Sequence, residues 1–244
     1  MTTKQYSEYY LQRKSLPLAE KMIKGFHRRL LNLAMKKIPN LKQKSFFEVG
    51  VGWGHLAELC RADSIKFRGV ELNQAQTDKL RSLGYDVDCA QVPPFPKGEG
   101  ADVIWLSHLL EHMDGFTQAR ELLLAANEKL KAGGYIVIIS PDINSWKEAF
   151  WEVDWSHGYP TSVQRISQLL GDTGFKIHYA TTITTTLSAS FLTLLLDLVY
   201  RLLPINLLDA LSVRLTGKKL FFGYMATFGW RQAFVIGKKN DQTV

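Results

Sequence analysis

The chain has 244 residues, of which 46% are hydrophobic, with a formal net charge of +7 and a pI near 9.3. That length and apolar content suit one large domain able to bury a full core. The basic balance points to an anionic partner without choosing among substrate, lipid and nucleic acid, and no dense Lys/Arg run stands out. The two cysteines, Cys60 and Cys89, form neither a metal-ligand spacing nor a disulfide framework. The N-terminus lacks a charged start followed by an apolar run, so no signal peptide is expected and a cytoplasmic, reduced chain is the simplest inference.

Residues 6–37 carry Leu18, Met22, Phe26, Leu30 and Leu33 at near-helical spacing among lysines and arginines, which predicts one or two amphipathic helices. They either pack on a sheet or cap a bound cofactor with Tyr6, Tyr9 and Tyr10. Pro39 closes the segment.

Residues 46–54 read FFEVGVGWG: an apolar run containing Glu48, then Gly50, Gly52 and Gly54, followed by a helical pattern from His55 to Cys60. This is a strand turning into a helix, with glycines where a Cβ would block positive φ or hold a ligand off the backbone. A dinucleotide fingerprint would need a small residue at position 55, where this chain has His55. The alternative is a loop for S-adenosylmethionine (SAM), with the glycines under the methionine moiety and Glu48 taking up its ammonium group.

A second strand, residues 65–72, ends in Glu71, which lies 17 residues beyond Gly54. An acid at the end of the second strand, roughly 20 residues on, is placed to hold a nucleoside ribose. A helix over 73–83 stops at Gly84, and a third strand over 85–90 brings Asp88 and the Cys89 backbone toward the adenine. The fourth strand, 101–106, is largely apolar, as a central parallel strand should be. Ser107 to Met113, SHLLEHM, would then face the same crevice as the glycine loop. Thr117 to Lys131 reads as a helix ended by Gly133 and Gly134, and 135–141 as a fifth strand. Alternation of strands with helices predicts an α/β, doubly wound sheet.

Residues 142–160 read as a loop rich in aromatics beside the crevice. Trp146, Trp151, Trp155 and Tyr159 are therefore expected to line an acceptor pocket. Thr161 is expected to cap a helix with its own hydroxyl, and a sixth strand starts at Gly174. Residues 186–229 form a largely apolar insertion. Asp197 and Arg201 interrupt it before the roughly 20 residues needed to span a bilayer, so a transmembrane helix is not expected. Pro204 divides it into two short amphipathic helices that could serve as a substrate lid, a homodimer surface or a peripheral membrane contact, with Arg214, Lys218 and Lys219 toward anionic headgroups.

The order of these parts resembles the class I SAM-dependent methyltransferases, more closely the small-molecule branch that includes ubiquinone-biosynthesis O-methyltransferases. The resemblance rests on EVGVGWG (48–54), GVEL (69–72), WLSHLLEHM (105–113), LKAGGYIVIISP (130–141) and HGYPTSVQRISQLLGDTGF (157–175). It implies a mostly parallel seven-stranded sheet with residues 231–238 as an antiparallel last strand. The chain then divides into an N-terminal helical cap (1–44), a cofactor-binding core (45–185), the insertion (186–229) and the last strand (230–239). Carried over, Glu48, Gly50, Gly52 and Gly54 would hold the methionine end of SAM, Glu71 the ribose, and residues 88–90 the adenine. Leu106, Ser107 and His108 would lie beside the sulfonium.

Transfer to an oxygen needs a base, for which His157 is the first candidate, His108 the second, and His112 is read as a helix-face residue. The expected reaction joins a hydroxyl of a small molecule, lipid precursor or sugar to the methyl group and releases S-adenosylhomocysteine. Transfer to nitrogen or carbon, or a SAM-binding module without activity, are the alternatives. No acidic pair marks a metal site, so no metal is expected. No nucleic-acid substrate is expected either, because LSHL (106–109) replaces the Asn/Asp-Pro-Pro-aromatic tetrad.

Overall fold

A computed structural model describes residues 17–184, 203–217 and 230–240. Within them the elements are α1 (Pro17–Lys37), β1 (Phe46–Val49), α2 (His55–Ala62), β2 (Phe67–Glu71), α3 (Gln74–Ser82), β3 (Val87–Cys89), β4 (Ala101–Ser107), α4 (Phe116–Lys129) and β5 (Leu130–Pro141). They continue with α5 (Ile143–Trp146), α6 (Ala149–Glu152), α7 (Val163–Asp172), β6 (Phe175–Thr184), α8 (Ile205–Thr216) and β7 (Arg231–Lys239).

The seven strands form one sheet in the order β3-β2-β1-β4-β5-β7-β6. Strands β1 to β5 pair in parallel, and β7 runs antiparallel to both β5 and β6. This is the doubly wound, mostly parallel architecture expected, with residues 231–239 as its antiparallel strand. Successive residues of each strand point to opposite faces, so one run of sequence fills two cores. Phe47, Ile104, Leu106, Ile136 and Ile138 pack under α4 and α7. Phe46, Val103, Trp105, Val137 and Ile139 pack under α1 and α2. Residues 17–37 thus take the sheet-packing role, with Leu30 and Leu31 fully buried. Tyr6, Tyr9 and Tyr10 lie outside the described residues.

Three local expectations are corrected. Helix α4 ends at Lys129, short of Gly133 and Gly134, because Leu130 already bridges to Ala101 of β4. The cap of α7 is Ser162, whose hydroxyl accepts from Arg165 N. The Thr161 hydroxyl is instead spent on the Pro141 carbonyl at 2.6 Å. Residues 142–160 are not all loop: Asp142 caps the single turn of α5, and α6 follows.

The pairing also fixes where the insertion emerges. Pro141, at the carboxyl end of β5, pairs with Gln232, and Thr184, the end of β6, pairs with Arg231. Both ends of the β6–β7 connection therefore lie at the same sheet edge as the carboxyl ends of β1 and β4. Among the described residues no helix is long and apolar enough to cross a membrane.

Candidate cofactor and transfer site

At the carboxyl end of β1 the chain passes through three left-handed glycines, Gly50 (φ 76°), Gly52 (φ 53°) and Gly54 (φ 79°), before entering α2. Two of these positions need glycine for different reasons. A Cβ on Gly54 would stand 2.7 Å from Leu80 Cδ2, whereas one on Gly52 would meet nothing within 4 Å. Gly54 is thus a packing glycine and Gly52 borders open space.

Glu71 ties this loop to β2. Its Oε2 accepts from Gly52 N at 2.9 Å and its Oε1 from Asn73 N at 3.0 Å, while Gln76 Nε2 donates to the Gly52 carbonyl at 2.6 Å. Asn73, the side-chain cap of α3, and Gln76 were not singled out in the sequence; a cap residue two positions after the acid was the available signal.

Two buried polar atoms at neighbouring strand ends have no partner among the described residues: Glu48 Oε2 on β1 and Ser107 Oγ on β4. Burial, with Glu71 adding to it, pushes the Glu48 carboxyl well above the usual range. A buried acid without a partner is costly unless a ligand completes it.

On the other side of Glu71, Asp88, Cys89 and Ala90 line a cleft of about 650 Å³ together with Gln74, Arg81 and Phe95. The Asp88 carboxylate is bound by the Arg68 guanidinium at 2.7 Å, so it is held by a cation and not left open toward the cleft alone. Cys89 Sγ lies 3.6 Å from the Leu72 carbonyl.

Leu106 is fully buried at the end of β4, and Ser107 and His108 follow it. His108 has left-handed backbone (φ 53°), fixed by its N–H donating to the Ile139 carbonyl at 2.9 Å. Its Nδ1 lies 3.2 Å from Glu111 Oε1. Glu111 is fully buried, and its Oε2 accepts from Ser140 Oγ at 2.8 Å. The Ser140 and Thr161 hydroxyls meet at 2.7 Å, and the Glu111 carbonyl accepts from Gly158 N and Tyr159 N. Glu111 therefore joins the ends of β4 and β5 to the segment before α7. Burial pushes its carboxyl up, but the His108 hydrogen bond and the charges of His108 and His112 bring it below its ordinary value. Sequence reasoning passed over Glu111 although it stands inside the LEH stretch.

His157 is buried, 8% exposed, with Nδ1 donating to the Phe150 carbonyl. Its ring stands 4.9 Å from that of His112, whose Nδ1 donates to Ser156 Oγ at 2.7 Å, and Ser156 in turn donates to Asp154. One ligand atom each from Glu111, His112 and His157 come within 4.8 Å of one another. His108 and Ser140 bond the two Glu111 oxygens, and Gly158 N and Tyr159 N its carbonyl, so Glu111 links the LEH turn to the segment before α7. Of the two base candidates, His108 is the one with its side chain substantially exposed, at 39%.

The four aromatic residues expected in one pocket separate. Trp146 stacks on Trp230 at 4.5 Å and donates to the Arg231 carbonyl, and Tyr159 is buried beneath Arg165. Both are tied into the framework because each has a polar tip and a flat face to satisfy. Trp151 (51%) and Trp155 (64%) are exposed. A further histidine comes from α1, where His27 lies 5.2 Å from His55, the first residue of α2. Burial, with the charges of His55 and His108, lowers His27 to about 3.

The model of a methyltransferase domain matches residues 18–180, two thirds of the chain and the whole of the site just described. No curated protein matches the chain in sequence. Solved structures share its fold. A SAM-dependent methyltransferase from Archaeoglobus fulgidus is 22% identical, covers 87% of this chain and 94% of its own, and superposes with a TM-score of 0.57. The N-methyltransferase NodS from Bradyrhizobium japonicum, in complex with S-adenosylhomocysteine, is 13% identical over 98% and 99% of the two chains, with a TM-score of 0.64. A cyclopropane synthase from Mycobacterium tuberculosis is 15% identical over 94% and 88%, with a TM-score of 0.58. The family match and the seven-stranded sheet with its antiparallel β7 lead to one assignment: the chain belongs to the methyltransferase-domain family, with the class I fold.

Proposed function

We propose that this chain transfers a methyl group from SAM to a hydroxyl of a small molecule or lipid precursor, with His108 as general base. The observation that carries the cofactor half is the buried Glu48 carboxyl, whose Oε2 has no partner among the described residues, beside the left-handed glycine loop and the Glu71-held turn. Glu48 would take the ammonium group and Gly50, Gly52 and Gly54 the methionine backbone. Glu71 would hold the ribose hydroxyls, and Asp88, Cys89 and Ala90 the adenine side of the cleft. Leu106 and Ser107 would border the sulfonium. NodS, of the same fold, was solved in complex with S-adenosylhomocysteine, which supports SAM as the cofactor.

When bound, SAM supplies an electrophilic methyl group. The protein then has to position an acceptor oxygen about 3 Å from it and remove the oxygen's proton. His108 suits that task because the ionised Glu111 accepts from Nδ1–H, which leaves Nε2 with the lone pair. His157 donates Nδ1–H to a backbone carbonyl within the core, so its proposed part shifts to holding residues 154–159 in place. Trp151 and Trp155 remain the proposed acceptor-side aromatics, with Trp146 and Tyr159 behind them as supports. The O-methyl assignment follows the resemblance to the ubiquinone-biosynthesis branch. The fold also serves nitrogen acceptors, as NodS shows for itself.

An acceptor screen by mass spectrometry with SAM as donor tests this reading. An O-methylated product, with a methyl group in place of the proton of the acceptor's hydroxyl, is expected, and it should be lost in His108→Asn. Products methylated only on nitrogen would overturn the O-methyl assignment.

A further inference from the structure

Helix α8 has its polarity reversed with respect to the protein interior. Asp209 and Ser212 are its buried polar residues, with Ser212 Oγ donating to the Asp209 carbonyl. Three of its leucines face outward: Leu207 is 59% exposed, Leu211 47% and Leu215 82%, and Leu203, ahead of Pro204, is 43% exposed. The three helical leucines, at four-residue spacing, form a stripe that turns through about 80° from first to last, at roughly 100° per residue of helix. A surface helix in water buries such a stripe and exposes its acid. This one does the opposite, so the medium it is built to meet is apolar.

The charge around the stripe selects the kind of apolar medium. The acid of α8 is turned inward, while Arg214 is exposed beside the leucine arc. Residues 186–229 carry Arg201, Arg214, Lys218 and Lys219 against Asp197 and Asp209, and the whole chain is at +7. An exposed apolar stripe flanked by cations on a basic protein matches an anionic lipid surface, into which leucines insert while arginine reaches the phosphates. Location adds to this. The connection holding α8 leaves and re-enters the sheet at the carboxyl edge, where His108 and the exposed Trp151 and Trp155 also lie.

We infer that α8 docks the protein on an anionic membrane surface through Leu203, Leu207, Leu211 and Leu215. The acceptor is then an amphiphile drawn from that surface. The second statement rests on the methyl-transfer reading; the docking does not.

Sedimentation of the full chain with phosphatidylglycerol–phosphatidylcholine vesicles, alongside SAM calorimetry on the same preparations, separates the two. The protein should bind anionic vesicles and lose at least tenfold in the bound fraction in Leu207→Asp/Leu211→Asp, with SAM affinity unchanged. The single change Leu215→Asp, at a position too exposed to affect folding, should lower binding in the same direction. Arg214→Glu should do so more strongly as the phosphatidylglycerol fraction rises. Wild-type protein that binds SAM but not vesicles overturns the docking, as do variants that bind vesicles like wild type. A wild-type dimer dissociated by the same leucine changes, without vesicle binding, overturns it in favour of a protein interface. Vesicle binding without SAM binding would leave the docking standing and remove the methyl-transfer reading.

Discussion

His108 Nδ1 lies 3.2 Å from Oε1 of Glu111, an acid with no solvent exposure whose other oxygen is held by Ser140. The pair combines an exposed imidazole with a carboxylate fixed in the core, which orients the ring without the ring itself being buried. If His108 is the base, His108→Asn should lower kcat by roughly 10² or more while leaving the SAM Kd within about twofold. Asparagine is the suitable replacement because it tolerates the left-handed backbone at φ 53°. Glu111→Gln keeps the shape and removes the charge, so kcat should fall at least about tenfold with SAM affinity again retained. Steady-state kinetics paired with calorimetry reads both effects.

Glu48 should behave as an acid that is protonated in the free protein and ionised when an ammonium group arrives. Its folded pKa lies above the unfolded value, so the native state holds the extra proton. Stability is then fully present below the ordinary carboxyl range and falls as pH rises from there toward the folded value. Glu48→Gln should therefore raise the thermal midpoint of the ligand-free protein at neutral pH while weakening SAM binding about ten- to hundredfold, the cost of one charged hydrogen bond of roughly 1.5–3 kcal/mol. Calorimetry of the wild type in buffers of different ionisation enthalpy should show proton release on binding, absent in the variant.

The loop glycines should divide by cause. At Gly52 an alanine meets no neighbour but must adopt φ 53°, so Gly52→Ala should cost about 1 kcal/mol of stability and reduce SAM affinity out of proportion to that. At Gly54 the added Cβ also meets Leu80 at 2.7 Å, so Gly54→Ala should lower the thermal midpoint considerably further. Thermal unfolding with and without SAM distinguishes the two patterns.

His27 should govern part of the acid limb of stability. Its folded value of about 3 lies below the ordinary histidine value, so the unfolded chain binds the proton more readily. Stability contributed by neutral His27 is present above about pH 6.5 and is lost as pH falls toward 3. Denaturation midpoints for His27→Leu measured between pH 7 and 4 should fall less steeply than those of the wild type.

The fold was legible because two signals agreed. Glycines spaced at 50, 52 and 54 after an apolar run marked the first strand and turn, and Glu71 at the end of the next strand supplied the partner that the structure joins to Gly52. The family resemblance also pointed to residues 231–238 as the last strand, observed as Arg231–Lys239. The acceptor side was less legible because its residues act through partners distant in sequence. Trp146 meets Trp230 and Arg231, and Tyr159 meets Arg165 from within the core. Glu111 drew no attention in the sequence, because the partners that define it, Ser140 and residues 158–159, lie about 30 to 50 residues away. The reversed face of α8 could not be read from its leucines, since the same spacing describes a helix packed inward.

Isothermal titration of the full chain with SAM tests the central claim most directly. The account predicts binding near one per chain, weakened at least tenfold by Glu71→Ala, which removes both the loop's carboxylate anchor and the proposed ribose acceptor. Absence of binding by the folded wild type, or binding that Glu71→Ala leaves unchanged, would contradict it.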